Sequence, residues 1–157
     1  MSGVAIPAPF ALIPHRHDAL LLDEVLRVDE SGLSAALTIR SGTAFSEADG
    51  SLPAWIGPEI MAEAIAAFAG WRSLQSRGEP AEIGLLLGIR DYSSAAQPFR
   101  AGELMQVHVV RSSEDEEGRG VFDCRISLAG DDVAAGTLTV YQPTDGSFLA
   151  AQRDRDD

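Results

Sequence analysis

The chain has 157 residues, 45% hydrophobic and 23% charged, proportions of one ordinary globular domain with a core rather than of a disordered polypeptide. Its formal net charge is -12 and all 12 basic residues are arginine, so phosphate backbones and anionic lipid are repelled, which argues against nucleic acid or a membrane surface as partner. A single cysteine, Cys124, excludes an internal disulfide. No run approaches the ~20 apolar residues that span a bilayer, and the opening Met1–Pro7 lacks the features of a signal peptide, so a cytoplasmic protein is expected.

Along the chain, residues 10–14 read as a short lead-in, one helical turn stopped by Pro14. Ala19–Asp29 reads as a buried strand, Ser31-Gly32 as a turn and Leu33–Arg40 as the antiparallel return. Ser41–Leu52, rich in Gly, Ser, Asp and Glu, marks a loop. Gly57–Ser76 is a helix, with Pro58 suited to its first positions and Gly78 and Pro80 closing it. Its apolar residues, from Ile60 and Met61 to Phe68 and Trp71, surround the axis, as in a buried helix. Four strands follow: Ile83–Tyr92, Leu104–Arg111, Gly120–Leu128 and Val133–Tyr141, with a tight hairpin expected at Gly130-Asp131-Asp132. The acidic runs Glu114–Glu117 and Arg153–Asp157 read as a solvated turn and a frayed tail, which sets one domain over 1–150 and an acidic tail over 151–157. Two strands, one buried helix and four strands make an α+β pattern: an antiparallel sheet of about six strands wrapped around one long helix, the hot-dog arrangement. Such a protomer leaves a sheet edge and an apolar groove open, so a dimer is expected.

No phosphate loop, paired zinc cysteines, metalloprotease helix or nucleophile elbow occurs. His15 and His17 flank Arg16 without carboxylates or cysteines at partner spacing, which favours a surface or capping role. His108 stands on the strand face opposite Val107 and Val109, in solvent, and Cys124 occupies an alternating run as a small buried residue. Glu59 and Glu63 are the only charged residues between Ile56 and Trp71, and at i and i+4 they share a helix face about 6 Å apart. Two carboxyls in apolar surroundings push one pKa upward, toward the range a general acid or base needs. The competing reading makes Glu59 a helix-start carboxylate met by backbone N–H groups, with Glu63 facing solvent.

Several segments, in order and at matching spacing, resemble the β-hydroxyacyl-[acyl-carrier-protein] dehydratases of the hot-dog fold. They are Leu12-Ile13-Pro14-His15-Arg16 with Leu20-Leu21-Leu22-Asp23, Leu52-Pro53-Ala54-Trp55, Glu59-Ile60-Met61-Ala62-Glu63-Ala64, and Phe99-Arg100-Ala101-Gly102-Glu103-Leu104. The third is similar to that family's Glu-Ala-Met-Ala-Gln-Ala. The approach Ala48-Asp49-Gly50-Ser51-Leu52-Pro53-Ala54-Trp55 and the late Gly136-Thr137-Leu138-Thr139-Val140-Tyr141-Gln142-Pro143 resemble the branch found with aryl-polyene gene clusters.

The resemblance implies dehydration of (3R)-3-hydroxyacyl groups on acyl carrier protein, in fatty-acid or polyene-type biosynthesis. In that chemistry a histidine takes the C2 proton, a glutamate serves the departing hydroxyl, and a backbone N–H polarises the thioester. The glutamate maps onto Glu59 and the N–H donor onto Ala54, with Trp55 beside it. The histidine does not map: fourteen residues before Glu59 stands Phe45. His15, a partner subunit, or loss of catalysis are the three ways of accounting for this. No cofactor or metal is implied, the phosphopantetheine arm arriving with the carrier. Partners implied are the acyl carrier protein, docking on Arg72, Arg77, Arg90 and Arg100, and a second subunit in a homo-dimer or a hetero-dimer with a related hot-dog chain. The alternatives are an acyl thioesterase of the same fold and a non-catalytic subunit partnering an active dehydratase.

Overall fold

The computed structural model describes residues 6–12, 21–40, 47–49, 51–78, 84–94 and 99–142. The expectations for His15, His17, Phe45 and the acidic tail lie outside these residues. In chain order the elements are a short helix α1 (Pro9–Leu12), strands β1 (Glu24–Asp29) and β2 (Gly32–Thr38), a 3-10 turn (Ala54–Ile56), the long helix α2 (Gly57–Arg77), and strands β3 (Leu85–Ser94), β4 (Leu104–Glu114), β5 (Arg119–Leu128) and β6 (Asp131–Tyr141). All six strands form one antiparallel sheet in the order β1-β2-β4-β5-β6-β3, the hot-dog architecture.

Alternation decides which residues enter the core. Leu33, Ala35 and Leu37 of β2, Met105, Val107 and Val109 of β4, Phe122, Cys124 and Ile126 of β5 and Leu138 of β6 all turn to the same face and are buried there. α2 crosses that face, burying Ile60, Met61, Ala64, Ile65, Ala67 and Phe68. Gly78 ends it in the left-handed conformation, φ 70°, its N–H donating to Leu74 O at 3.1 Å. The helix is not apolar-covered all round within the protomer: Ala62, Ala66 and Ala69 form a half-open stripe.

Two local expectations shift. The β5–β6 hairpin turns on Ala129-Gly130, with Leu128 paired to Asp131, one residue earlier than the sequence implies. Both turn residues carry positive φ, 52° and 87°, the geometry that matches the right-handed twist of the flanking strands. β3, which reads as an ordinary apolar strand, is an edge strand paired only with β6, and leaves Leu85, Leu86, Leu87 and Ile89 exposed. Asp91, at φ 55°, breaks the β3 register between Arg90 and Ser93. The irregularity accompanies the inward lean of Tyr92, which packs against Gly57 and Gly136.

α1 seats on α2 through a close backbone approach at Gly70. A Cβ there would lie 2.1 Å from Leu12 O. Gly70→Ala is expected to push α1 off the helix and lower stability by about 1–3 kcal/mol, despite the better helix propensity of alanine. The urea midpoint measures it; an unchanged or raised midpoint would show that α1 contributes no packing.

Candidate functional site

The approach to α2 is built from the residues the sequence singles out. Asp49 closes a turn by accepting from Ser51 N and Ser51 Oγ at 3.0 and 2.6 Å. Those bonds hold its carboxyl below the usual aspartate range. Leu52 then makes a reciprocal backbone pair with Phe99, both bonds at 2.8 Å, which ties the loop to the start of β4. Ile56 N donates to Pro53 O at 3.0 Å, winding Ala54–Ile56 into a 3-10 turn that runs straight into α2. The residue before the helix, Ile56, offers no side-chain cap, so the N–H groups of the first turn are left to other acceptors. Trp55 stands 65% exposed beside them.

Glu59 and Glu63 divide in the opposite sense to the helix-start reading of the sequence. Glu59 is exposed, while Glu63 is only 6% exposed. Both Glu63 oxygens accept from one donor, the backbone N–H of Leu21, at 3.0 and 3.1 Å. Burial, opposed by that N–H and supported by the charge of Glu59, pushes the Glu63 carboxyl up to about 8. The two glutamates line one groove of about 760 Å³, whose floor along α2 is the alanine stripe. The raised carboxyl that the paired glutamates foreshadow is therefore Glu63.

The far end of the groove is ionic, which the sequence did not show. Arg72 donates to both Glu114 oxygens, at 2.7 and 3.3 Å. Arg111 lies 3.5 Å from the same carboxylate, and both guanidinium groups sit over the Phe68 ring at 5.6 and 5.9 Å. Glu114 is therefore not part of a solvated turn; hydrogen bonding and charge from Arg72, with help from Arg111, hold it below the usual glutamate range.

The four arginines proposed for docking fall in separate places. Arg72 and Arg77 belong to the C-terminal part of α2, where Arg77 reaches Ser73 Oγ at 3.0 Å. Arg90 is exposed on the β3 edge. Arg100 is exposed next to the Leu52–Phe99 pair. β4, about 30 Å long at ~3.3 Å per residue, runs from the turn beside Arg100 to the Glu114 that Arg72 grips.

Elsewhere, His108 faces away from the core as expected but is not simply solvated. Its ring nitrogens lie 2.8 Å from Ser34 Oγ and 3.2 Å from Ser127 Oγ, bridging three strands, and burial, aided by Arg125, holds its pKa down. Cys124 is a buried strand residue whose thiol burial pushes up to about 12, far from a thiolate. Among the described residues no three metal-ligating side chains converge. No helix among them is long and apolar enough to cross a membrane.

The ApeP-like family, described as ApeP dehydratase, matches residues 7–151. The dehydratase heterocomplex ApeI:P from Xenorhabdus doucetiae is similar in structure, with a TM-score of 0.84 and 26% identity over 92% of this chain and 97% of that one. Two further structures share the fold alone. The TT0310 protein of Thermus thermophilus has a TM-score of 0.56 at 17% identity, over 75% of this chain and 89% of that one. The thioesterase PA1618 of Pseudomonas aeruginosa, as a mutant, has 0.52 at 13%, over 76% and 79%. No curated protein matches the sequence.

Proposed function

The chain belongs to the ApeP-like dehydratase family, and on that footing we propose that it works in the dehydration of 3-hydroxyacyl groups carried on acyl carrier protein, in polyene-type chain building. The observation that carries this reading is Glu59. It stands where the resemblance puts that family's glutamate, in the first turn of α2, and lines an open groove beside a helix start whose preceding residue, Ile56, supplies no side-chain cap. An acyl chain laid along the Ala62, Ala66 and Ala69 stripe would bring its thioester end to that turn. There the carbonyl gains from the backbone N–H of Ala54, with that of Trp55 beside it, and Glu59 can exchange a proton with the substrate.

A second group must complete the proton transfers. The family resemblance leaves His15 or a residue of a partner chain. His15 lies outside the described residues. Pairing with a related hot-dog subunit fits the heterocomplex named for the similar structure. It also fits the unpaired β3 edge with its four exposed apolar side chains. Carrier docking is assigned first to Arg100, exposed beside the Leu52–Phe99 pair that leads into α2, with Arg90 on the edge strand; Arg72 is engaged by Glu114.

The test is to incubate the chain, alone and with a related hot-dog subunit that retains the loop histidine, with a 3-hydroxyacyl carrier substrate and to follow product mass. Loss of one water is expected. Release of the free acid would make it a thioesterase, and an unchanged substrate in both mixtures would make it a binding subunit. Assembly is checked separately by sedimentation at micromolar concentration. A dimer, with itself or with that subunit, is expected, and Leu87→Lys on the β3 edge should shift it toward monomer. A strictly monomeric mass in both cases would overturn the pairing.

A further inference from the structure

Among the described residues, Glu63 is a buried carboxyl with a single hydrogen-bond donor. Its two oxygens share one N–H, and among the described residues no cation pairs with it. A carboxylate has about four lone-pair sites to satisfy, so the anion here would leave most of them unmet in an apolar wall. The neutral acid needs fewer donors and brings an O–H of its own.

The charged groups around it point the same way. On its own helix the nearest is Glu59, a like charge one turn toward the mouth of the groove. Among the described residues of the segment that carries Leu21 it is Asp23, already engaged by Thr38 N–H and Arg40. The cluster of Arg72, Arg111, Glu114 and Glu30 lies at the other end of the groove, with Arg72 nine residues further along α2, about 13 Å. Burial and Glu59 outweigh the Leu21 N–H and raise the carboxyl to about 8.

We propose that Glu63 is a second catalytic carboxyl of this site, a neutral acid that gives its proton to the hydroxyl leaving C3 while Glu59 takes the proton from C2. The proposal rests on the dehydratase reading above; it moves Glu59 from the hydroxyl, the role the resemblance implies, to the C2 proton, and puts Glu63 at the hydroxyl in place of an outside second group. The C2–H bond breaks as Glu59 accepts the proton, and its electron pair becomes the C2–C3 double bond. The C3–O bond breaks and the departing oxygen takes the Glu63 proton, leaving as water. Glu59 ends protonated and Glu63 ionised, and passage of one proton from the first to the second resets the pair without any cofactor. Two carboxyls in unlike surroundings, one exposed and one buried, thereby take unlike roles.

Infrared spectroscopy of the whole protein in heavy water should show a protonated-carboxyl C=O band at neutral pH that is absent from Glu63→Gln and fades as pH passes about 8. In the assembled complex, turning over a 3-hydroxyacyl carrier substrate, Glu63→Gln keeps the shape and the acceptor for Leu21 N–H. It is expected to lose ~10²-fold in kcat with little change in KM, and Glu63→Asp to recover part of that loss. The wild-type rate should fall as pH rises through about 8, a limb the glutamine variant lacks. A missing band, or a glutamine variant at full rate, overturns the proposal and leaves Glu59 in place. Turnover indifferent to Glu59→Gln as well would sink the dehydratase reading itself, and the proposal with it.

Discussion

Glu63→Gln is expected to make the folded protein more stable in mild alkali, with little effect in mild acid. In the unfolded chain this carboxyl titrates near the ordinary glutamate value of 4.5, whereas in the folded chain it keeps its proton to about 8. Between those values the folded state binds the extra proton, so stability falls by about 1.4 kcal/mol per pH unit across the interval and levels off above it. The interval as a whole amounts to on the order of 5 kcal/mol, removed when the side chain cannot ionise. The amide also preserves the acceptor for Leu21 N–H, and a glutamine stands at this point in the segment that α2 resembles. Thermal unfolding at pH 5 and pH 8.5 provides the measurement. The wild-type Tm should drop by about 10 °C between the two, at ~2–4 °C per kcal/mol for a domain of this size, and the variant should not follow it. Parallel curves for the two proteins would mean that Glu63 is ionised in the native state at neutral pH.

Glu59→Gln is expected to lower dehydration by ~10²-fold or more, the usual scale for removing a group that exchanges a proton in the transition state. The side chain is exposed in the protomer and no hydrogen bond within the described residues depends on its charge. Fold and assembly should therefore be unchanged, and the loss should fall on kcat. This separates Glu59 from Glu63: Glu59→Gln costs rate and removes only the smaller, charge-based part of the Glu63 shift, whereas Glu63→Gln costs rate and abolishes that pH dependence of stability. A Glu59→Gln protein with full turnover would move the chemistry elsewhere in the groove.

Much of the architecture is legible from local pattern. Alternation in Leu33–Leu37, Met105–Val109 and Phe122–Ile126 sets the buried sheet face, because side chains of a strand point to opposite sides in turn. Pro58 and Gly78 bound α2 for equally local reasons, a fixed φ at one end and a left-handed φ of 70° at the other. Boundaries move where neighbours decide them. β4 continues to Glu114 because β5 pairs with it that far. The last hairpin turns at Ala129-Gly130 because a two-residue loop fits the strand twist.

Periodicity, capping chemistry and spacing act over a few residues. From them come six strands and one long helix, with two glutamates on one helix face. Which glutamate is buried could not be read that way, since it depends on Leu21, forty-two residues away in the chain, delivering its N–H to Glu63. The same holds for β3 as an edge, for Glu114 joining Arg72 and Arg111 over Phe68, and for Arg100 standing apart from Arg72. Each of these is a long-range pairing. The burial and electrostatics of such groups are set by what the fold brings against them, not by their neighbours along the chain.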